Sequence, residues 1–411
     1  MVPKGWEIKH LSELASKISD GIHKTPLYAD TSEIYFINGN NLKSGSIVIQ
    51  DSTKCVDEND AINHRKDLGV RTLLMSINGT IGNLAYYRGE NVVLGKSASY
   101  INIKDSVNLD FIYYVLSSSK TQAFYESELT GTTIRNLSIK SIKSTEILTP
   151  PLPEQKKIAQ ILSTWDKAIS VTEKLLTNSQ QQKKALMQQL LTGKKRLLDE
   201  NGVRFSGEWE KGKFCDMANI DTGYAFKSKD FTQSDSGIPI IRMSDFKTGG
   251  LDVLGAAKVD RDSVNGLDKF KLRVGDFVFG MSGSLNNYGR VEKKDLPCYL
   301  NQRVGRILAK ECANQAFITY LYLSDSIQQS ILDKAAGAAQ LNISISDLRS
   351  MVVYYPCIEE QQKIAAVLSA ADAEISTLEK KLACLRDEKK ALMQQLLTGK
   401  RRVKVDEAVA E

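Results

Sequence analysis

The segment Lys183–Lys194 reads KKALMQQLLTGK, and Lys389–Lys400 repeats it without a change, 206 residues later. At the same spacing, PLPEQKKIAQIL, which begins at Pro151, faces CIEEQQKIAAVL, which begins at Cys357. Two matches in one fixed register indicate that the chain is a single repeat written twice.

The duplication extends into the rest of the chain, although most residues there have diverged. Tyr114 aligns with Tyr320 at the spacing of 206, and Trp6 lies 203 residues before Trp209. The part of each repeat that ends in the identical segment is nearly constant, whereas the longer part before it differs. We therefore expect one scaffold whose turns and loops vary between the repeats, and such loops commonly hold recognition residues.

Each constant part has the pattern of one long helix. Pro150, Pro151 and Pro153 predict that the first helix starts at Glu154, and Gly193 is suited to cap its end. Apolar residues recur in heptad spacing, which is typical of a helix that pairs with another helix. The heptad positions are Leu162, Trp165, Ile169, Thr172, Leu176, Ser179, Lys183, Leu186 and Leu190, and then Leu368, Ala371, Ile375, Leu378, Leu382, Leu385, Lys389, Leu392 and Leu396.

Two matched heptad patterns in one chain favour antiparallel pairing of the two helices, although each helix could instead pack on its own domain. At ~1.5 Å per residue the pattern is about 40 Å long, close to one turn of DNA at roughly 34–36 Å. Lys183 and Lys389 would weaken the pairing and help to fix its register. We expect Lys194–Arg196 and Lys400–Arg402 to be solvated charges at helix ends. The predicted pairing residues are Leu162, Ile169, Leu176, Leu186, Leu190, Leu368, Ile375, Leu382, Leu385, Leu392 and Leu396.

The composition limits the class of protein. The chain has 411 residues, 25% charged residues and a net charge of +6, which is compatible with a polyanionic partner. Its six cysteines and three histidines show no metal-like spacing, so we expect no metal site and a reducing, cytoplasmic setting. The sequence has no long apolar run and no pattern of a signal peptide at its start, so a membrane span and export are not expected.

The variable parts are predicted to be mixed α/β domains. Short β-type runs such as EIYFIN and RTLLMSI in the first repeat, and IPIIRM and DFVFGM in the second, alternate with Gly- and Asn-containing turns. Single helices are predicted near 110–126 and near 315–334.

The order of these segments resembles the specificity subunit of a type I restriction–modification system. The resemblance rests on LTGTTIRNLSIKSIKSTEILTPPLPEQKKIAQILSTWDKAI, on KKALMQQLLTGKKRL and on their recurrence after a second variable region. The loop DGIHKTP, at Asp20–Pro26, also resembles a loop of the target recognition domains in this family. The implied α/β (α+β) fold has two repeated globular target recognition domains, separated by a pair of long antiparallel coiled-coil helices. The implied domains are recognition domain 1 at 1–150, helical region 1 at 151–196, recognition domain 2 at 197–356, helical region 2 at 357–402 and a tail at 403–411.

The resemblance also implies a function and partners. Each recognition domain would read one half of a bipartite, asymmetric site in double-stranded DNA, and the helices would set the spacing between the halves. The helices would also dock two modification subunits, which methylate adenine at N6, and restriction subunits that use ATP to translocate and cleave DNA. This chain would bind no cofactor itself, because S-adenosylmethionine, ATP and Mg would belong to the partner subunits.

No catalytic motif in the sequence contradicts the implied role as a subunit without its own catalytic activity. TPPLP, at Thr149–Pro153, differs from the Asn/Asp-Pro-Pro-aromatic motif of adenine methyltransferases at its first and last places. GMSGS, at Gly280–Ser284, lacks the final glycine of a nucleophile elbow, and no P-loop is present. A self-contained methyltransferase is therefore disfavoured. A coiled-coil scaffold with duplicated protein-binding domains and no DNA role remains the alternative.

Candidate DNA contacts are polar residues in the variable turns, because Arg, Lys, Asn, Gln, Ser and Thr read base edges. Each of them could instead be an ordinary polar residue of a turn. Lys43, Lys96 and Lys247 are candidates for phosphate contacts. The first domain contributes His23, Lys24, Thr25, Asn38, Asn40, Asn41, Ser76, Asn78 and Thr80, and the second contributes Tyr224, Lys227, Arg242, Ser244, Ser282, Ser284, Asn286, Asn301, Gln302 and Arg303.

Apolar positions of the helices outside the heptad pattern are candidates for docking partner subunits, with burial in the chain's own domains as the alternative. These positions are Ile158, Ile161, Leu175, Met187, Leu191, Ile364, Val367, Met393 and Leu397.

Overall fold

The computed structural model describes residues 2–130, 135–247, 250–281, 287–335 and 342–405. The chain forms two compact units. Unit 1 comprises Met1–Glu173 and Lys380–Glu411, and unit 2 comprises Lys174–Glu379. The boundaries fall inside two long helices, so each unit contains one variable domain and one segment of each helix.

In unit 1 the described residues form short strands and helices before the first long helix. The strands are β1 (Glu7–His10), β2 (Ala15–Asp20), β3 (Tyr28–Ala29), β4 (Tyr35–Ile37), β5 (Leu42–Lys43), β6 (Ser46–Ile47), β7 (Cys55–Val56), β8 (Thr72–Ser76), β9 (Leu84–Tyr86), β10 (Val92–Leu94), β11 (Ala98–Ile103) and β12 (Glu146–Thr149). The helices are α1 (Leu11–Leu14), α2 (Glu58–Ile62), α3 (Leu109–Leu116), α4 (Ser119–Ser127), α5 (Ile139–Lys143) and α6 (Leu152–Leu190).

The main sheet of unit 1 has the order β2-β11-β8-β9, and all its pairings are antiparallel. A second sheet has the order β10-β4-β7-β3, with β10 parallel to β4. Leu73 and Ile101 of the main sheet are fully buried against Phe111 of α3. Leu162 of α6 and Leu396 belong to the same core, so the domain and the helix segments of unit 1 are one packed body.

Unit 2 repeats this plan. Its strands are β13 (Glu210–Lys213), β14 (Ala218–Thr222), β15 (Phe231–Thr232), β16 (Ile238–Ile241), β17 (Phe246–Lys247), β18 (Gly250–Leu251), β19 (Lys258–Val259), β20 (Phe277–Gly280), β21 (Tyr288–Arg290), β22 (Tyr299–Leu300), β23 (Val304–Ala309) and β24 (Val352–Tyr355). Its helices are α7 (Phe214–Met217), α8 (Gln315–Tyr322), α9 (Asp325–Ala335), α10 (Ile345–Ser350) and α11 (Ile358–Leu396), which continues into unit 1.

The sheets of unit 2 correspond to those of unit 1. The main sheet has the order β14-β23-β20-β21, and the second has the order β15-β19-β16-β22, with β22 parallel to β16. The mixed α/β fold and the internal repeat predicted from the sequence are therefore confirmed.

Three predictions about helices were wrong. The single helix predicted near 110–126 is divided into α3 and α4, because Ser118 has extended backbone and its hydroxyl accepts the amide of Thr121 at 3.4 Å. The helix predicted near 315–334 is likewise divided into α8 and α9. The first long helix starts at Leu152 rather than Glu154, because Pro153 lies in the first turn, where no amide donor is needed.

Within each unit, the segments of α6 and α11 run antiparallel, as predicted. In unit 1, Lys389 Nζ contacts Asp166 Oδ1 at 2.5 Å, and Arg386 Nη2 contacts Glu173 Oε1 at 2.7 Å. The sequence number rises along α6 while it falls along α11. In unit 2, Lys183 pairs with Asp372 at 2.5 Å and Ser179 donates to Glu374 at 3.0 Å, which gives the same antiparallel direction. All the heptad positions are buried or half-buried.

The two heptad lysines also contact the variable domains. The hydroxyl of Tyr114, on α3, donates to Asp166 at 2.7 Å, and Lys389 Nζ lies 5.3 Å from the centre of the same ring. Burial, and then the hydrogen bond to Asp166, raise the pKa of Tyr114, so this phenol remains a donor. Each lysine–aspartate–tyrosine triad therefore joins three elements of its unit. The triad of unit 2 consists of Lys183, Asp372 and Tyr320.

The ends of the helices are fixed by a second set of repeated contacts. Arg196 donates to both oxygens of buried Glu360, at 2.7 and 2.6 Å, and Arg402 donates to both oxygens of Glu154, at 2.7 and 2.8 Å. The prediction that these basic ends are solvated was therefore wrong for Arg196, whose side chain is 20% exposed, whereas Arg402 remains 45% exposed beside its glutamate. Trp6 Nε1 also donates to Glu154, at 3.0 Å.

Candidate nucleic-acid interface

The predicted DNA-contacting segments of unit 1 come together where strands of its two larger sheets end. We call residues 20–25, 38–41, 76–80 and 95–97 reading face 1. The amide of Ile77 donates to the carbonyl of Ser97 at 2.9 Å, and Ser97 Oγ donates to Asn38 Oδ1 at 2.8 Å. Gly39 allows the turn to approach the sheet, since a Cβ there would lie 2.9 Å from Cβ of Ser76.

Unit 2 has the corresponding arrangement. We call residues 221–227, 242–245, 280–281 and 301–303 reading face 2. The amide of Met281 donates to the carbonyl of Arg303 at 3.1 Å, which matches the Ile77–Ser97 bond of unit 1. The amide of Tyr224 donates to the carbonyl of Leu300 at 2.9 Å, and the equivalent bond in unit 1 joins Ile22 to Leu94 at 2.7 Å. The two faces therefore share a backbone framework.

Several predicted residues on reading face 1 project into solvent. His23 has a side chain that is 59% exposed, and its Nε2 lies 2.8 Å from Asp20 Oδ2. Lys24, Thr25, Asn40 and Thr80 are also exposed. These side chains can accept or donate hydrogen bonds to a molecule that covers the face.

Other predicted residues on this face are used by the fold. Asn41 is 7% exposed, and its side chain accepts the amide of Asn38 at 3.0 Å and donates to the carbonyl of Val48 at 3.0 Å. Ser76 is buried, and its hydroxyl bonds the carbonyl of Thr80 and the amide of Asn83. In this structure, Asn41 and Ser76 shape the turns and do not reach the surface. Asn78 Oδ1 is buried and accepts no hydrogen bond within the described part of the chain.

Reading face 2 has more charged side chains than reading face 1. Arg303 and Gln302 are exposed, and Asn301 is half-buried beside Tyr224. Arg242 lies 3.4 Å from Asp245 through its Nε, and Ser244 Oγ donates to the same carboxylate at 2.9 Å. Lys227 is exposed. The remaining predicted residues, Ser282, Ser284 and Asn286, lie outside the described residues.

The predicted phosphate contacts are all exposed, although Lys247 also pairs with Asp252 at 2.8 Å. Sequence reasoning missed Ser97 as part of the interface and treated Lys96 only as a phosphate contact. Lys96 and Ser97 occupy the places that Gln302 and Arg303 occupy in unit 2. The offset of 206 residues identifies this equivalence directly.

The predicted docking residues of the helices differ in their burial. Ile158 and Ile364 are fully buried in the cores of their own units, so the prediction that they are free to dock a partner was wrong. Leu175 is 48% exposed. Ile161, Val367, Met187 and Met393 are half-buried, and Leu191 and Leu397 are buried at 5% and 7% exposure.

Two further predictions concern membranes and metals. No helix in the described ranges is long and apolar enough to cross a membrane. Among the described residues, no group of His, Cys, Asp and Glu is arranged to hold a metal ion.

Comparison with known proteins defines the class as DNA specificity proteins of restriction–modification systems. The family model of the type I restriction modification DNA specificity domain matches residues 3–178 and again residues 206–385. The chain therefore belongs to this family and carries the domain twice. This confirms the predicted function as a non-catalytic specificity subunit and disfavours a scaffold without a DNA role.

Individual relatives agree with the family match. The specificity subunit of the type I restriction enzyme MjaVIII from Methanocaldococcus jannaschii is 26% identical, with 98% of this chain and 94% of the relative covered. The EcoKI specificity subunit of Escherichia coli strain K12 is 24% identical, with 93% and 85% covered. The solved S subunit of a type I system from M. genitalium has the same fold, with a TM-score of 0.59, 17% identity and 96% of each chain covered.

Proposed function

We propose that each reading face recognises one half of a bipartite, asymmetric site in double-stranded DNA. The observation that carries the proposal is the contrast between the two faces. Equivalent backbone bonds hold both faces, whereas Ser97 on one face is replaced by Arg303 on the other. Serine and arginine present different hydrogen-bonding groups to base edges, so the two faces are suited to different sequences.

We further propose that the long helices set the spacing between the half-sites and dock two modification subunits. These subunits would methylate adenine with S-adenosylmethionine, and restriction subunits would join them and use ATP and Mg in the cytoplasm. The identical segments Lys183–Lys194 and Lys389–Lys400 support this part of the proposal, since two copies of one partner need two equivalent surfaces.

Methylome sequencing of a strain that expresses this chain with its modification subunit tests the proposed function. The expected result is adenine methylation at one bipartite site, dependent on this chain. Binding of the assembled methylase to duplex DNA should weaken steeply with salt, because lysine–phosphate contacts release counterions. A methylation pattern that does not change when the chain is deleted would overturn the proposal.

A domain exchange assigns the faces to the half-sites. Residues 20–130 are replaced by the corresponding residues of another family member, and the methylated sites are sequenced. Only one half of the site should change, because reading face 2 is untouched. A change in both halves, or in the spacing alone, would contradict the assignment.

A further inference from the structure

A run of basic residues lies beside reading face 2. We call residues 268–273 the basic segment, and its exposed cations are Lys269, Lys271 and Arg273. Three cations and one acid, Asp268, give the segment a net charge of +2. A row of exposed cations on one short segment is suited to a polyanion.

Backbone and ring contacts place the basic segment at the margin of reading face 2. Lys271 forms an antiparallel bridge with Tyr299 of β22. Residue numbers run in opposite directions in such a pair, so the chain before Lys271 runs toward Asn301 of reading face 2. The centre of the Phe270 ring also lies 5.6 Å from that of Tyr224, which belongs to the same face. The basic segment and reading face 2 therefore adjoin.

A buried arginine holds the backbone of the basic segment. Arg306, on β23, is 8% exposed, and its guanidinium donates to the carbonyl of Lys271 at 3.1 Å and to the carbonyl of Lys269 at 2.9 Å. The same guanidinium lies 3.4 Å from Asp276 Oδ2, whose charge balances its own. Because Arg306 binds two carbonyls inside the domain, the backbone of the segment is fixed while its cations remain exposed.

The stability of the domain does not by itself account for this arginine. The equivalent residue of unit 1, at the offset of 206, is Tyr100, which is 2% exposed in an apolar cluster with Leu74 and Leu94. An apolar residue in place of a buried ion pair is often neutral or stabilising. The Nε of Arg306 is also buried without an acceptor among the residues that the structure describes. A guanidinium is therefore costly to bury here, and the two carbonyls that it fixes indicate what it contributes.

We propose that Arg306 is a positioning residue for DNA binding, and that it holds the basic segment where its three cations contact phosphates beside the half-site of reading face 2. This inference rests on the proposed function and adds to it a source of affinity outside the reading face. Phosphate contacts orient a protein on the duplex and carry no sequence information directly. The basic segment therefore supplies affinity and register, whereas the reading face supplies base discrimination.

The salt dependence of DNA binding tests the inference. The full chain is assembled with its modification subunit, and binding to a duplex that carries the methylated site is measured from about 50 to 200 mM salt. The triple variant Lys269→Ala, Lys271→Ala, Arg273→Ala should reduce the slope of log affinity against log salt by about 2 to 3, since each phosphate contact contributes about 0.9. Arg306→Met should reduce the slope by about 1 or more, because the segment loses its anchor. Added to the triple variant, Arg306→Met should reduce the slope no further, because it acts through the three cations.

The matched control is the triple variant Arg204→Ala, Lys211→Ala, Lys213→Ala. These three cations are also exposed in unit 2, and they lie outside the basic segment and reading face 2. The control should keep the slope of the wild type. Arg306→Tyr, which places the residue of unit 1 in unit 2, should act like Arg306→Met and replaces it in the test if Arg306→Met does not fold.

Each contrary outcome has a distinct meaning. An unchanged slope in the triple variant of the basic segment would overturn the inference, and its residues are exposed, so the variant should fold. An unchanged slope in Arg306→Tyr, together with a loss of stability in a urea titration, would show that Arg306 is structural only. Relaxed base discrimination in the triple variant would overturn the assignment of the segment to phosphates. A wild-type assembly that binds no duplex would instead refute the proposed function.

Discussion

Arg196 and Arg402 occupy corresponding places in the two units, and each binds both oxygens of a buried glutamate. Glu154 of unit 1 also accepts the indole N–H of Trp6, whereas the indole N–H of Trp209 in unit 2 is buried with no partner among the described residues. The glutamate of this ion pair therefore accepts one hydrogen bond fewer in unit 2 than in unit 1. Two copies of a sequence can thus keep an interaction while the contacts that support it diverge.

Replacing each arginine in turn measures how much this difference contributes to stability. Arg196→Met leaves Glu360, which is 0% exposed, as a buried charge without its cation, and should lower the free energy of unfolding by about 3 kcal/mol. Arg402→Met should cost less, because Glu154 keeps the bond from Trp6. Urea unfolding followed by tryptophan fluorescence measures both.

The exposed Arg204 lies outside these pairs, so Arg204→Met is the control and should change stability little. Equal losses for Arg196→Met and Arg402→Met would show that the tryptophan bond contributes nothing to the difference.

The reading faces differ more strongly, since side chains at equivalent positions have different chemistry. Arg303→Ala should relax base discrimination in one half-site, with a loss of about 2 kcal/mol, or roughly thirtyfold, against the wrong base. Methylation rates on duplexes that differ at single positions measure the effect. Ser97→Ala should act only on the other half-site.

Lys96→Ala is the control for direct base recognition. If Lys96 contacts phosphate, its loss should weaken binding of all duplexes alike and reduce the salt dependence. A base-specific effect of Lys96→Ala would show instead that the equivalence with Gln302 extends to base contacts.

The triads, in contrast, are alike in both units. Lys389→Met and Lys183→Met should each lower the free energy of unfolding by about 1.5 kcal/mol, because each removes a charge-assisted bond to aspartate. The two losses should agree within about 0.5 kcal/mol, since the contact distances are the same. A clearly larger loss in one unit, measured by the same urea titration, would show that the triads are not equivalent.

The sequence predicts the repeat, the long helices and their antiparallel pairing, because heptad spacing and the fixed offset of 206 residues are properties of the sequence itself. It also locates the main strands, including RTLLMSI, which became β8. These features depend on local periodicity, and tertiary contacts reinforce them.

The remaining features depend on distances that a sequence does not contain. The ion pairs of Arg196 and Arg402 join residues that are 164 and 248 positions apart. The break between α3 and α4 depends on the serine at 118 acting as a cap rather than as a helical residue. Asn41 and Ser76 have the right chemistry for base contacts, but their side chains are occupied within the domain. Packing within each folded domain decided these outcomes, and the sequences of two diverged domains do not show which residues pack together.

Cys298 provides the smallest expected difference between the units, since unit 1 has Val92 at the equivalent place. Cys298 is fully buried in the apolar cluster that also contains Ile241 and Leu300, and burial raises the pKa of its thiol to about 12. The folded state therefore favours the neutral thiol. The stabilising contribution of the neutral thiol is complete below the ordinary thiol pKa of about 8.5 and is lost as the pH rises from there toward 12.

Cys298→Val should change the free energy of unfolding at pH 7 by less than about 1 kcal/mol and should remove this loss at pH 10. Urea titrations of both proteins at the two pH values measure the difference, and rapid alkylation of Cys298 in the folded protein, at the rate of exposed Cys312, would contradict its burial.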